Sequence, residues 1–351
     1  MRSSSPFALA LLAFITVVAV VAVGLRTRRT ATWQDRDEDW VGIRMFSEVA
    51  RITWMRRGRR SQLDLEREVG RRDPYRVGCL AVEPLPPEDD LAGLASETTT
   101  FAHMGALLDL VGDGRPLTKK GHLRLADARA LCDAIGRPDL FDPMIGDRVS
   151  RIKSAEEIEP VELLFRWAGT AGVLRVAKGR VHRTKRGIRF GTEPLEDWWR
   201  LFVSFVQKLD WPEWRDSWRG GPFWAFDLEP LLPILLATMA SARRTVSVGE
   251  LSDATWRLIE RSFDTAFLTE SQLEWWPGWV ASTIWHAVLS PLADLGVFEL
   301  SAISIPREAT ELEGEELRSA AITPFGRWAV LRYDVQTGKI WYPLDIDVPT
   351  A

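Results

Sequence analysis

Cysteine and histidine are scarce in this chain of 351 residues. Its two cysteines, Cys79 and Cys132, form no CxxC pair, and its four histidines lack the spacing of metal ligands. We therefore predict neither a structural zinc site nor a disulfide framework, and we interpret both cysteines as small buried hydrophobic residues. No metal or other cofactor is expected. The histidines are His103, His122, His182 and His286.

Catalytic signatures are lacking as well, since the sequence contains no GxSxG, HExxH or Walker phosphate loop. Gly112, Gly114 and Gly121 resemble a glycine-rich phosphate loop only superficially, because no strand precedes them and their spacing differs. Acidic pairs such as Glu156-Glu157 are typical of exposed loops. We therefore predict that the protein is not an enzyme.

An excess of charge of one sign is also missing. The 45 lysines and arginines and the 49 acidic residues leave a formal net charge of −4. Bulk charge therefore does not make the chain a nucleic-acid binder, although a local patch still could. Hydrophobic residues make up 46% of the sequence, which is enough for buried cores, and the length allows about two domains.

An uncharged apolar run extends over residues 6–25 near the N terminus. A helix of about 20 residues crosses the hydrocarbon core of a bilayer, so a single-span anchor is the favoured interpretation. The alternatives are a cleaved signal peptide, whose apolar region is usually about 7–15 residues, and a start codon placed too far upstream. Because Arg26, Arg28 and Arg29 follow the run and only Arg2 precedes it, the positive-inside bias places the C-terminal body in the cytoplasm.

Arginine is abundant beyond this run. Residues 26–72 hold thirteen arginines against eight acidic residues, and the densest cluster lies at residues 55–60. The segment either attracts anionic lipid headgroups or forms a solvated helix in which the acidic residues offset the arginines. The candidate lipid contacts are Arg26, Arg28, Arg29, Arg56, Arg57, Arg59 and Arg60.

The first folded unit is predicted to contain three helices followed by a hairpin. Apolar residues recur at helical spacing in the first helix, which ends at Gly112, and in the second, which ends at Gly136. Pro160 is suited to the first turn of the third helix. The chain then alternates and turns at Lys178-Gly179. Three helices and a hairpin follow the order of a winged helix.

Two segments of this unit match a shared pattern, LTKKGHLRLADARALCDAIG and GDRVSRIKSAEEIEPVELLFRWAGTAGVLRVAKGRV. They resemble a group of actinobacterial proteins that share LTxxGxLxLADAR, and ITPFGRWAVLRYDVQTG resembles the LTPLGRWAL helix of the same group. The resemblance covers residues 101–189 well and residues 231–337 loosely. It implies winged-helix-like units and brings no established activity, and the N-terminal apolar run departs from the group.

The predicted hairpin carries seven positive charges and no acidic residue between residues 173 and 189. Lysine and arginine contacts with phosphate supply most non-specific DNA affinity, and a basic wing beside the third helix can hold a duplex. Alternatively, such charges block pairing at the hairpin edge. The third helix offers only Arg166 as an obvious phosphate or base reader, which equally favours a degenerate unit that packs on protein. The candidate contacts with DNA or another anionic partner are Arg166, Lys178, Arg180, Arg183, Lys185, Arg186 and Arg189.

Tryptophan is concentrated after the hairpin, where six of the 17 tryptophans lie within residues 198–224. The first two belong to an amphipathic helix predicted over residues 193–209. Tryptophan can stack on sugars or bases and can form belts at membrane interfaces. Most buried tryptophan simply packs, so we interpret these residues mainly as packing within and between the units.

The second unit repeats the order of the first. A capping box at Ser247–Glu250 begins one helix, and Pro291 is expected to kink the next, which ends at Gly296. Two strands then flank an acidic loop, residues 307–316, and Thr323 begins the last helix. We hypothesise that the acidic loop pairs with the basic wing, either between the units or in a homo-oligomer.

These patterns predict a mainly α protein with small β-hairpins, in which an N-terminal transmembrane helix precedes two degenerate winged-helix-like units. The leading hypothesis is a single-span membrane protein with an interaction or scaffold body, whose protein partner is unknown. The alternative is a DNA-binding regulator that uses the basic wing, and a third hypothesis is a tryptophan-lined binder of sugar or lipid. The predicted segments are an anchor (1–30), a basic juxtamembrane region and linker (31–97), unit 1 (98–190), a tryptophan-rich connecting helix (191–226) and unit 2 (227–351).

Overall fold

The computed structural model describes residues 85–145, 148–207, 231–242, 244–262, 278, 280–302 and 318–337, all of which fall in the second of two units of the chain, residues 58–351. The predicted anchor, the arginine-rich segment with its candidate lipid contacts, and the acidic loop lie outside the described residues. Within these ranges, no helix has the length and apolar composition that crossing a bilayer requires.

The first half contains helices whose ends are set by glycine and proline. Thr98 is the N-cap of α2, but its hydroxyl donates to the carbonyl of Ala95 at 3.0 Å and does not bond to the helix. Gly112 and Gly136 follow the ends of α2 and α3 with positive φ angles, as predicted, and Pro160 lies in the first turn of α4. The helices are α1 (Leu91–Ser96), α2 (Thr99–Val111), α3 (Leu125–Ala134), α4 (Glu159–Thr170), α5 (Lys185–Arg189) and α6 (Pro194–Gln207).

The strands of the first half form two small antiparallel sheets. The larger sheet has the order β1-β5-β4, so the short strand β1 extends the hairpin of β4 and β5. In its register Arg115 of β1 lies opposite Val181 of β5, which is fully buried. The region between α3 and α4 contains a two-stranded hairpin. The strands are β1 (Arg115–Pro116), β2 (Met144–Ile145), β3 (Arg148–Val149), β4 (Leu174–Ala177) and β5 (Arg180–Arg183).

The second half begins its helix α8 with the predicted capping box. The backbone N–H of Glu250 donates to Ser247 Oγ at 3.1 Å, and the N–H of Ser247 donates to the Glu250 carboxylate at 2.9 Å. Arg244 adds two hydrogen bonds to the same carboxylate and thereby lowers the pKa of Glu250. The elements are α7 (Leu231–Ser241), β6 (Val246–Ser247), α8 (Val248–Ser262), α9 (Ser290–Asp294), β7 (Phe298–Ala302), β8 (Arg318–Ile322) and α10 (Pro324–Thr337).

The helix before β7 changes its geometry ahead of Pro291. Because proline has no N–H to donate to the carbonyl four residues earlier, the α-helical pattern cannot pass through this position unchanged. The chain forms a π-helical segment over Ile284–Leu289 and returns to α geometry in α9. The irregularity expected at Pro291 takes this form, and Gly296 ends the helix as predicted, with a φ of 78°.

The two halves share their element order and their sheet topology. Each runs from a helix through a short strand and further helices to a hairpin, and each short strand pairs with the second hairpin strand. The second sheet therefore has the order β6-β8-β7, which corresponds to β1-β5-β4. Buried Ala320 in β8 takes the position of Val181 in β5, since each lies opposite a residue of the short strand.

The helix α6 joins the two halves through buried aromatic side chains. Trp198 is fully buried, and its Nε1 donates to the carbonyl of Leu295 in the second half at 2.9 Å. Trp167 of α4 donates to the carbonyl of Leu201 in α6 at 2.9 Å. The ring of Phe202 meets that of Tyr333 edge-on at 6.1 Å. The interpretation of the tryptophan cluster as packing is thus confirmed for Trp198 and Trp199, whereas Trp211, Trp214, Trp218 and Trp224 lie outside the described residues.

Candidate interface for an anionic partner

The basic hairpin turns where the sequence predicts. Lys178 and Gly179 have φ angles of 50° and 69°, as a two-residue turn between antiparallel strands requires, and Ala177 lies opposite Arg180. Val181 anchors the hairpin in the core. The turn itself is exposed, so the hairpin presents its charged end to solvent.

Two of the candidate residues fasten the hairpin to the end of α2. The Arg180 guanidinium donates to the carbonyl of Gly114 at 2.9 Å, and Nε of Arg183 donates to the carbonyl of Gly112 at 3.1 Å. Gly112 is the C-cap of α2, where the helix carbonyls carry partial negative charge, so the cationic donor of Arg183 is favoured there. These two arginines therefore have an intramolecular role that the sequence does not reveal.

Arg166 also has an internal partner. Its Nε donates to the carboxylate of Glu162 at 2.7 Å, and Glu162 is only 4% exposed. His122 Nδ1 lies 3.2 Å from both oxygens of the same carboxylate, and its Nε2 lies 3.6 Å from the Glu156 carboxylate. The structure thus places Arg166 in a partly buried network of polar and charged groups.

The helix α4 presents little polar surface. Seven of its residues are buried, including Glu162, and Pro160 and Gly169 are the exposed ones. Asparagine and glutamine, which read adenine, are absent from residues 98–190. This helix therefore presents neither the exposed face that groove reading needs nor a side chain of the type that reads adenine, and its Arg166 is bonded to Glu162.

The remaining candidates are exposed at two ends of the hairpin. Lys178 lies at the turn, whereas Lys185, Arg186 and Arg189 lie on α5 beyond the other end of β5. A strand of four residues spans about 13 Å, so the two groups are separate. Among the described residues, none of these four side chains has an ion-pair partner.

A second loop brings two lysines close to the hairpin turn. The N–H of Leu117 donates to the carbonyl of Gly179 at 2.9 Å, which places the following loop beside the hairpin turn. Thr118 shapes this loop, because its Oγ1 accepts from the N–H of His122 at 3.1 Å and its own N–H donates to the His122 carbonyl at 2.9 Å. Lys119 and Lys120 are consequently exposed there.

Sequence reasoning missed this juxtaposition because it depends on the pairing of β1 with β5, which are distant along the chain. The Lys-Lys pair between Thr118 and Gly121 was the available signal. We name the resulting surface the basic tip, and it also includes Val176, which follows Arg175 in the sequence and is 58% exposed. The basic tip consists of Lys119, Lys120, Arg175, Val176 and Lys178.

Cys132 of α3 and His103 of α2 are titratable groups that do not belong to the basic tip. Cys132 is fully buried, as predicted, and burial raises the pKa of its thiol. Burial lowers the pKa of His103, while Asp294 of the second half acts in the opposite direction. In the part of the chain that the structure describes, no group of three histidine, cysteine or acidic residues could hold a metal ion.

Comparison with protein-family models, with curated proteins and with solved structures finds no match to this chain. The resemblance to the actinobacterial group therefore stays a prediction.

Proposed function

We propose that the chain is a membrane-tethered interaction protein whose body consists of two winged-helix-like units and acts by binding. The fold proposal is supported by the shared element order of the two halves and by the position of each short strand beside the second hairpin strand. A winged helix has this order of helices, short strand and hairpin. The apolar run of residues 6–25 supports the tether, and the arginines after it favour a cytoplasmic body.

The observation that carries the proposal is the contrast between α4 and the basic tip. The third helix of a winged helix reads the groove in DNA-binding proteins of that fold, and the corresponding α4 is buried here on most of its faces. Exposed cations without ion-pair partners lie instead at the hairpin turn and on α5. This arrangement favours contact with an extended anionic surface over readout of base edges.

A DNA-binding regulator remains the second candidate function, since the exposed cations of the hairpin suit phosphate contacts. The test is binding of the detergent-solubilised full chain to duplex DNA of random sequence over a salt series. The variant Lys178→Ala/Lys185→Ala/Arg186→Ala removes exposed cations and leaves Arg180 and Arg183 to hold the fold.

For an interaction protein we expect weak DNA binding that this triple variant hardly changes. A steep slope of the logarithm of the binding constant against the logarithm of salt concentration, reduced in magnitude by about three in the variant, would support a DNA-binding regulator. It would contradict our proposal. The tether is tested separately by alkaline extraction of membranes from cells that express the full chain. Release of the chain into the supernatant would contradict a spanning anchor.

A further inference from the structure

We propose that the basic tip docks on the anionic lipid surface of the membrane in which the chain is tethered. The inference rests on the proposed function and names the partner of its exposed cations. Three features carry it: the concentration of positive charge on two adjoining loops, an exposed apolar residue between Arg175 and Lys178 in the sequence, and the burial of α4 on most of its faces.

The two loops of the basic tip themselves carry positive charge and no negative charge. The segments LTKKG, residues 117–121, and RVAKGR, residues 175–180, contain five cations and no acidic residue. Of these cations only Arg180 donates to a protein carbonyl, while the others extend from exposed positions. Charge complementarity therefore selects a negatively charged surface.

Val176 distinguishes a lipid surface from a nucleic acid. It lies in the edge strand β4 and is 58% exposed, although its partner in the register, Val181, is fully buried. An exposed apolar side chain that follows a cation such as Arg175 in the sequence gains free energy by entering the headgroup region of a bilayer. A phosphate backbone offers no such environment. Nor do the buried α4 and the absence of asparagine and glutamine from residues 98–190 suit base readout.

Because the predicted anchor holds the body at the membrane, a patch of a few positive charges is enough for docking. Each well-placed lysine contributes about a fivefold gain in affinity for an anionic leaflet, which is weak for a free protein. A body attached to the same membrane binds intramolecularly at a high effective concentration. Residues 26–84 connect the predicted anchor to the described body, and an extended chain of this length reaches up to about 200 Å, so the connection permits contact.

The test uses the full chain in nanodiscs of phosphatidylcholine alone or of phosphatidylcholine with phosphatidylserine, followed by amide hydrogen exchange. We expect slower exchange in residues 117–121 and 175–180 in the anionic discs only, with the difference reversed by high salt. Lys119→Glu/Lys120→Glu should lower this protection about tenfold or more, since it reverses two contacts. Val176→Ser should lower it less, because the cations remain.

The matched control is Arg151→Glu/Lys153→Glu, which makes the same change of charge at two exposed residues of another loop. This control should keep the protection. Equal exchange in both kinds of disc, or equal loss in the control, would overturn the proposal. Protection of the basic tip by duplex DNA but not by anionic discs would overturn it in favour of nucleic acid.

If the predicted anchor does not insert into the bilayer, the nanodisc experiment gives a different result from a failure of docking. A full chain that does not copurify with the neutral discs lacks the anchor, and the proposed function then fails. The docking inference is in that case decided on the same chain by flotation with phosphatidylserine vesicles. Flotation that Lys119→Glu/Lys120→Glu abolishes would support the basic tip as a lipid contact, and flotation that the variant leaves unchanged, or no flotation, would overturn it.

Discussion

Thr184 and Thr323 make equivalent hydrogen bonds in the two halves of the protein. Thr184 Oγ1 donates to the carbonyl of Gly172 at 2.8 Å and accepts from the N–H of Gly187 at 3.1 Å. Each threonine thus bonds to a glycine carbonyl in the turn that precedes the hairpin and to a glycine N–H in the helix that follows the hairpin. The corresponding partners of Thr323 are Gly296 at 2.7 Å and Gly326 at 2.8 Å.

We expect Thr184→Val and Thr323→Val each to lower the free energy of unfolding by about 1–3 kcal/mol, because valine keeps the shape but leaves the glycine groups without their partner. Urea unfolding of the solubilised full chain, followed by far-ultraviolet circular dichroism, measures the change. Thr→Ser at the same positions retains the hydroxyl and should cost less. If serine costs as much as valine, the hydrogen bonds are not the reason.

Gly187 and Gly326 bring a helix against a backbone carbonyl in each half. A Cβ at Gly187 would collide with the carbonyl oxygen of Val173, and one at Gly326 with that of Val297. Since backbone cannot move aside as a flexible side chain can, we expect Gly187→Ala and Gly326→Ala each to destabilise by about 3 kcal/mol or more. Thermal unfolding of the full chain measures this.

The control for these substitutions is Gly105→Ala in the middle of α2. A Cβ there meets nothing within 4 Å, and alanine favours a helix over glycine by about 0.5–1 kcal/mol. We therefore expect a small rise in melting temperature. A loss at Gly105 as large as at Gly187 would show that the close approach to the carbonyl is not the cause.

Local chemistry made several elements predictable from the sequence. The capping box at Ser247–Glu250, the turn at Lys178-Gly179 and the helix end at Gly136 each depend on residues within a few positions of one another. Intrinsic backbone preferences and short-range hydrogen bonds decide such features, so the pattern is enough.

Features that join distant segments could not be predicted in the same way. The pairing of β1 with β5 brings Lys119 to the hairpin turn, and burial of Glu162 determines what Arg166 does. Both depend on tertiary packing, which periodicity does not specify. The sequence therefore identified the basic hairpin as a candidate site but did not separate its exposed cations from Arg180 and Arg183, which hold the fold.

Trp198 should contribute more to stability than its neighbour Trp199. Trp198→Phe removes the donor to the buried carbonyl of Leu295, and we expect a loss of about 1–3 kcal/mol, rising to about 3–5 kcal/mol for Trp198→Ala. Trp199 Nε1 donates to the side chain of exposed Gln336, which water can satisfy instead. Trp199→Phe is therefore the matched control and should cost about 1 kcal/mol or less. Equal losses in urea unfolding would contradict a special role for the bond to Leu295.

His103 makes stability depend on pH near neutrality. Burial holds the pKa of His103 below its ordinary value, with a smaller contribution from Arg137, while Asp294 raises it. The folded state therefore binds the proton less readily than the unfolded state. Its contribution to stability is present above the ordinary pKa of about 6.5 and is lost as pH falls through the lower pKa of the folded state.

We expect the unfolding free energy of the wild-type chain to fall between pH 7.5 and pH 5.5, and His103→Gln to reduce this fall because glutamine does not titrate. Asp294→Asn should act in the opposite direction, since it removes the charge that favours protonated His103 and lowers the pKa of His103 further. Urea midpoints of the three chains across this range provide the measurement. An Asp294→Asn chain whose stability falls less steeply than the wild type would show that the carboxylate does not act on His103.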